Sequence, residues 1–157
     1  MKKILIALDY NSSAQTVAEV GYELGKAMNA EVVLLHVIAD TTYYSSLEYS
    51  PVMGFGGFSG NEFSGLVNTK GLTEAAQYYL DKVKHHLHNS DLETLVEEGE
   101  SAEAILKTAR NHHVDMIVMG SHSRNWLNQM VMGSVTKEVL KDTSVPMLII
   151  PVKEPKS

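Results

Sequence analysis

Apolar runs and helically spaced segments alternate along the chain. Lys3 to Leu8 is β-branched and aliphatic, as in a strand buried on both faces. The period then changes. Asn11-Ser12-Ser13 offers helix N-caps, and Ala14, Val17, Ala18, Gly21, Tyr22, Leu24 and Met28 recur at helical spacing until Asn29 stops them. Glu31 to Ile38 predicts a second buried strand. Leu72 to His88 predicts an amphipathic helix, with Leu72, Ala75, Ala76, Tyr79, Leu80, Val83 and Leu87 inward. Leu92 to Val96 alternates as a short strand, and Ser101 reads as the N-cap of a helix over Ala102 to Asn111. Asp115 to Gly120 is the fourth strand, with a short turn expected at Leu127 to Val131. Gly133 to Lys141 is the last helix, broken by Thr143 to Pro146, and Met147 to Ile150 is a fifth strand closed by Pro151.

Strands alternating with helices predict an α/β domain, a parallel sheet with helices on both faces. Ligands of such sheets sit outside the carboxyl ends of the strands, at the point where the strand order reverses. With the first strand central, Asp9, the end of the second strand near Val37 and Gly120 share one crevice.

The stretch from Met116 to Thr136 carries the chemistry. Met116-Ile117-Val118-Met119 ends at Gly120, a polar loop follows, and Gly133-Ser134 opens a helix. The first N–H groups of a helix have no intrahelical partner, and the macrodipole adds partial positive charge there. Ser134 and Thr136 add hydroxyl donors. A phosphate-bearing ligand is expected between Gly120 and Thr136.

Residues from about 40 to 69 break the pattern. They hold Pro51, Gly54, Gly56, Gly57, Gly60 and Gly65, with Tyr43, Tyr44, Tyr49, Phe55, Phe58 and Phe63 among them. Loops of this length are uncommon in compact domains. The stretch reads as a flexible insertion, or as a lid or partner surface.

Composition narrows the function. At 157 residues, 44% hydrophobic and 20% charged, the chain fits one globular domain over residues 1–152, with a frayed charged tail at 153–157. A net charge of -6, from 13 basic and 19 acidic residues, argues against nucleic acid as a partner. It leaves room for a nucleotide, which a helix terminus holds locally. The absence of cysteine excludes disulfides, thiolate nucleophiles and cysteine zinc sites. The opening apolar run is interrupted at Asp9, too early for a signal peptide, and no run has the length of a membrane span. A cytoplasmic protein is expected.

Other constellations are weaker. His85 and His88 stand three apart on one helix without further ligands spaced nearby, and His112 and His113 suit a helix C-terminus. Met116, Met119, Met130, Met132 and Met147 read as core filling. Trp126 reads as an anchor for its loop or a partner contact. No G-x-x-x-x-G-K-[ST] loop, no G-x-G-x-x-G after the first strand and no G-x-S-x-G elbow is present.

Lys2 to Asp9, His36-Val37, Asp115 to His122, Gly133-Ser134-Val135 and Val145 to Pro151, in that order and spacing, resemble the universal stress protein (UspA) family. The resemblance implies a Rossmann-like, adenine nucleotide alpha hydrolase-like fold, five parallel strands in the order 3-2-1-4-5. It also implies a homodimer, often formed through the last strand, here Val145 to Ile150. That strand is an uncharged edge, which favours a pairing partner. One branch of the family binds ATP through G-x2-G-x9-G-[ST]. Gly120 and Gly133-Ser134 match its ends, and Ser123 stands at the middle glycine. Serine keeps the N–H and adds a hydroxyl, but lacks the positive-φ freedom of glycine.

By matching positions, the resemblance sets Ala7, Leu8 and Asp9 near ribose and metal, and the backbone of Val37 at adenine. Met119, Gly120, His122, Ser123, Gly133, Ser134, Val135 and Thr136 line the phosphates, with Arg124 the nearest fixed cation. Asp9 is the carboxylate for Mg²⁺; its alternative role is to cap the helix that starts near Ser12. The expected function is a module that binds ATP or another adenine nucleotide and acts in stress signalling. The alternatives are a non-nucleotide-binding dimeric interaction protein and a slow ATP-hydrolysing enzyme. Asp9-Tyr10-Asn11-Ser12 lacks the signature of related adenylating enzymes, and no general base is evident.

Overall fold

The computed structural model describes residues 2–39, 69–121 and 132–152. The aromatic-rich insertion, the turn at 127–131, His122, Ser123, Arg124, Trp126 and the tail therefore lie outside the described residues. Strands β1 (Lys3–Ala7), β2 (Glu31–Ile38), β3 (Glu93–Glu98), β4 (Met116–Gly120) and β5 (Met147–Ile150) alternate with helices α1 (Ala14–Ala27), α2 (Thr69–His86), α3 (Ser101–Asn111) and α4 (Ser134–Asp142). The strands form one five-stranded sheet in the order β3-β2-β1-β4-β5, all pairs parallel.

The continuous apolar strands divide their side chains between two cores, because successive residues point to opposite faces. Ile4, Ile6, Val32, Leu34, Ile38 and Val118 pack with α1 and α2 on one face. Leu5, Val33, Leu35, Ile117 and Met119 pack with α3 and α4 on the other. Helix α1 lies close on its face. A Cβ at Gly21 would stand 2.8 Å from Ile6 Cδ1, and one at Gly25 would run into Val32. Polar bonds add to the apolar packing it shares with α2: His86 Nε2 lies 2.6 Å from Glu19 Oε1, and Asn89, just past α2, donates to the Tyr22 hydroxyl at 3.1 Å. The His86 hydrogen bond, with a second from Gln15, holds the Glu19 carboxyl below its usual pKa.

Element ends differ from the sequence expectation where backbone bonding outruns side-chain periodicity. Helix α2 begins at Thr69 rather than Leu72, before its first apolar residue. Strand β3 is shifted to Glu93–Glu98, since Glu97 and Glu98 pair with Val37 and Ile38. Glu100, not Ser101, caps α3: its carboxylate accepts from the N–H groups of Ala102 at 3.1 Å and Glu103 at 2.8 Å. Three helices close through left-handed residues, Asn29 (φ 51), His88 (φ 55) and His113 (φ 52). At each, the next residue reaches back to the helix, Ala30 to Gly25, Asn89 to Lys84 and Val114 to Ala109. Asn29 thus ends α1 as its type suggested.

The two sheet edges are unlike. Strand β3 carries Glu93, Glu97 and Glu98, whereas β5 is Met147-Leu148-Ile149-Ile150 without a charge. Among the described residues, no helix is long and apolar enough to cross a membrane.

Candidate functional site at the switch point

The strand order reverses between β1 and β4, so the crevice at their carboxyl ends is where such a sheet takes a ligand. One wall is the β1–α1 connection. Leu8 leaves β1 with its N–H still donated to Leu35 O at 2.8 Å. Its own carbonyl, 2.8 Å from His36 Nδ1, accepts the ring proton. The next carbonyl, Asp9 O, accepts from the Tyr79 hydroxyl at 2.7 Å. Tyr10 turns inward against both donors, whose rings meet each other edge-on at 5.9 Å. Its ring stacks on His36 with centroids 4.2 Å apart and meets Tyr79 edge-on at 4.9 Å.

Burial fixes the protonation of both donors. His36 is 2% exposed, and desolvation pushes its pKa down against the opposing pull of the Leu8 carbonyl and the Asp9 charge. The ring is neutral at pH 7 and carries its proton on Nδ1, since a carbonyl can only accept. Tyr79 is 1% exposed, and burial raises its phenol well above the ordinary value, with Asp9 and Tyr10 adding to the shift. The hydroxyl is therefore a permanent donor.

Asp9 is exposed beyond this layer. Its Oδ1 accepts from the Asn11 N–H at 3.0 Å, and Asn11 Oδ1 in turn accepts from the Ser13 N–H and hydroxyl, each at 3.0 Å. Asp9 therefore closes an Asx turn. It does not cap α1, whose N-cap is Ser13 and whose first helical residue is Ala14. Its second carboxylate oxygen has no protein partner among the described residues, so it is available to a cation or a ligand hydroxyl. Val37 stands near the end of β2, two residues past Leu35, the partner of Ala7.

The opposite wall joins β4 to α4. Gly120 is the last residue of β4, beside Ile150. Ser121 donates its N–H to Ile150 O at 3.0 Å, and its hydroxyl accepts from Val152 N–H at 3.2 Å. Gly133 returns its N–H to Ser121 O at 3.1 Å, closing the neck of the connection just before α4. Gly133 is the N-cap, and its carbonyl takes the first intrahelical bond, from Lys137 at 3.0 Å. The N–H groups of Ser134, Val135 and Thr136 precede any intrahelical acceptor. Ser134 is exposed.

Thr136 corrects the sequence expectation of a hydroxyl aimed at phosphate. It is 3% exposed, and its Oγ1 donates to Gly120 O at 3.0 Å. Its hydroxyl proton ties the first turn of α4 to the end of β4; only its N–H remains for a ligand. Met119 is likewise buried, packed with α3 and α4. Ala7, Leu8, Asp9, Gly120, Gly133, Ser134 and Val135 are brought to the carboxyl end of β1 and β4, as the spacing required.

Tyr10 and Tyr79 were not among the expected site residues, and His36 entered only as part of a family fragment. The signal was one polar residue, His36, inside the otherwise aliphatic run Val32 to Ile38. Among the described residues, no three His, Asp or Glu side chains converge as a metal cluster. Mg²⁺ bound with a nucleotide needs only one or two carboxylates, the rest coming from phosphate and water. The donor set fits that use.

A doubly wound parallel sheet with its crevice between β1 and β4 defines the class. Within it, the chain belongs to the universal stress protein family, whose model matches residues 1–151. Universal stress protein MJ0577 of Methanocaldococcus jannaschii is 32% identical over 154 residues, spanning 95% of this chain and 94% of the relative. The solved structure of MJ0577 superposes with a TM-score of 0.71 at 29% identity, covering 98% of each chain. Universal stress protein A homolog 2 of Coxiella burnetii is 27% identical over 153 residues, 97% of this chain and 96% of that one. A solved universal stress protein in complex with cAMP superposes with a TM-score of 0.58 at 17% identity, over 95% of each chain, a likeness of fold.

Proposed function

We propose that the switch-point crevice binds an adenine nucleotide, ATP with Mg²⁺, and that the protein acts through its occupancy in stress signalling. The observation that carries this is that an exposed, half-engaged Asp9 carboxylate and the first turn of α4 follow the carboxyl ends of two neighbouring strands, β1 and β4. One is suited to a cation, the other to phosphate. The match of Gly120 and Gly133-Ser134 to the family's ATP pattern supports it, as does a relative solved with cAMP. Ala7, Leu8 and Asp9 meet ribose and metal, and the Val37 backbone meets adenine. Met119, Gly120, His122, Ser123, Arg124, Gly133, Ser134, Val135 and the Thr136 N–H line the phosphates. With Asp9 given to the metal, hydrolysis on this reading is slow at most.

The uncharged β5 edge supports a second element of the proposal, a cytoplasmic homodimer paired through Val145 to Ile150. Ser123, in place of the pattern's glycine, favours the competing reading of a dimeric interaction protein without nucleotide. Native mass spectrometry of protein purified without added ligand, followed by titration with Mg²⁺-ATP, separates them. A dimer carrying adenine nucleotide, or saturating at micromolar Mg²⁺-ATP, is the expected result. A dimer that stays empty at millimolar Mg²⁺-ATP supports the competing reading, and a monomer removes the β5 pairing.

A further inference from the structure

We infer that His36 and Tyr79, clustered with Tyr10, are positioning residues that hold the β1–α1 loop in its binding shape. They reach the crevice only through the carbonyls of Leu8 and Asp9, and this role rests on the nucleotide reading. Three observations carry it. The donors grip consecutive carbonyls, Leu8 O at 2.8 Å and Asp9 O at 2.7 Å, so the two peptide planes that flank the Asp9 Cα are both held. They come from different elements, β2 and α2, so the loop is referenced to the sheet and to a helix at once. Tyr10 packs against both rings, stacked on His36 and edge-on to Tyr79, which also meet each other edge-on at 5.9 Å, and is itself 7% exposed.

The exposed face of the loop follows from the buried one. With both carbonyls turned inward, the Asp9 side chain is directed outward, where Asn11 engages Oδ1 alone. A ligand that uses the other oxygen, directly or through Mg²⁺, meets a carboxylate already placed. Preorganisation of this kind lowers the ordering cost of binding. Helix α2 is thereby made part of the site through Tyr79, although it packs on one face of the sheet.

Two variants remove one proton donor each and keep a ring in place, Tyr79→Phe and His36→Phe. A third, Val83→Ala, destabilises the same face of the sheet away from the loop, at a residue that is fully buried. Each is titrated with ATP with and without Mg²⁺, beside thermal unfolding. The expected result is a loss of Mg²⁺-ATP affinity of about 2- to 10-fold for each ring variant, the worth of one hydrogen bond. A smaller loss is expected for ATP alone. Val83→Ala lowers the unfolding temperature and leaves both affinities unchanged. If the unaltered protein binds Mg²⁺-ATP and the ring variants bind it equally well, the positioning role is overturned. So it is if Val83→Ala weakens binding as much as they do. If the unaltered protein does not bind at millimolar concentration, the nucleotide reading falls and takes this role with it.

Discussion

The two walls of the crevice are built in opposite ways. The β1–α1 wall is held from behind by side chains distant in sequence, His36 and Tyr79, which lie 28 and 70 residues from the carbonyls they grip. The β4–α4 wall is held mainly by main-chain bonds, Ser121 to Ile150 and Gly133 to Ser121, with two hydroxyls beside them, Ser121 accepting from Val152 and Thr136 donating to Gly120 as a strap. The first arrangement places a carboxylate; the second leaves backbone N–H groups facing outward. A charged side chain has rotamer freedom and gains from a fixed base, whereas a helix end is rigid through its own ladder. The difference teaches that a site for a charged ligand needs immobilising only where its groups are otherwise free to turn.

Substitutions that strike one wall at a time test this division. Gly133→Val has the largest expected effect: a side chain at the helix entrance stands where phosphate would approach. Its backbone (φ -59, ψ 151) suits any residue, so no left-handed strain is added. Binding of Mg²⁺-ATP measured by calorimetry is expected to fall below detection while circular dichroism remains that of the folded protein. Retained binding would move the phosphates away from α4.

Thr136→Val removes the strap and leaves Gly120 O without this donor in a part-buried place. A loss of about 1 kcal/mol of stability is expected in urea unfolding. A change within error would mean that the main chain alone holds this wall. Asp9→Ala acts on the other wall and is read through the metal. The ratio of ATP affinities with and without Mg²⁺ should collapse toward one, with stability lowered by under about 1 kcal/mol. An equal loss under both conditions would take Asp9 out of the metal role.

The smallest effect lies behind the first wall. The Glu19 carboxyl, depressed mainly by the His86 hydrogen bond, contributes stability above its unfolded value of 4.5. That contribution is lost as pH falls through the lower folded value. Both side chains are substantially exposed, at 45% for Glu19 and 34% for His86, so the pair is worth less than about 1 kcal/mol. Thermal unfolding of Glu19→Gln should differ slightly from that of the unaltered protein at pH 7 and converge with it at low pH. A constant gap across that range would exclude titration as the cause.

The same contrast decides what was legible in the sequence. Strands β1, β2 and β4 were plain because burial on both faces requires uninterrupted apolar residues. The β4–α4 wall was plain because its parts lie within one short stretch, Gly120 to Thr136, where spacing alone brings them together. The direction of the Thr136 hydroxyl was not, since a threonine in a first turn can face ligand or strand with equal chemistry. The β1–α1 wall was hidden. Tyr79 sits at an apolar position of α2, indistinguishable by period from Leu80 or Val83, and its hydroxyl finds Asp9 only once the chain has folded. Residue type points to Ser101 as the N-cap of α3, while Glu100 reaches two N–H groups with its two oxygens.

The unlike edges of the sheet have a consequence for how copies of this chain can accumulate. Glutamates on β3 discourage a further strand on that side, while the uncharged β5 carries no such deterrent. In the language of assembly, the described sheet then has a valence of at most one. If a second copy pairs there about a two-fold axis, each uses its only open edge on the other, and neither has an edge left to extend a fibre. Growth then terminates at two by geometry, without a cap or a competing partner.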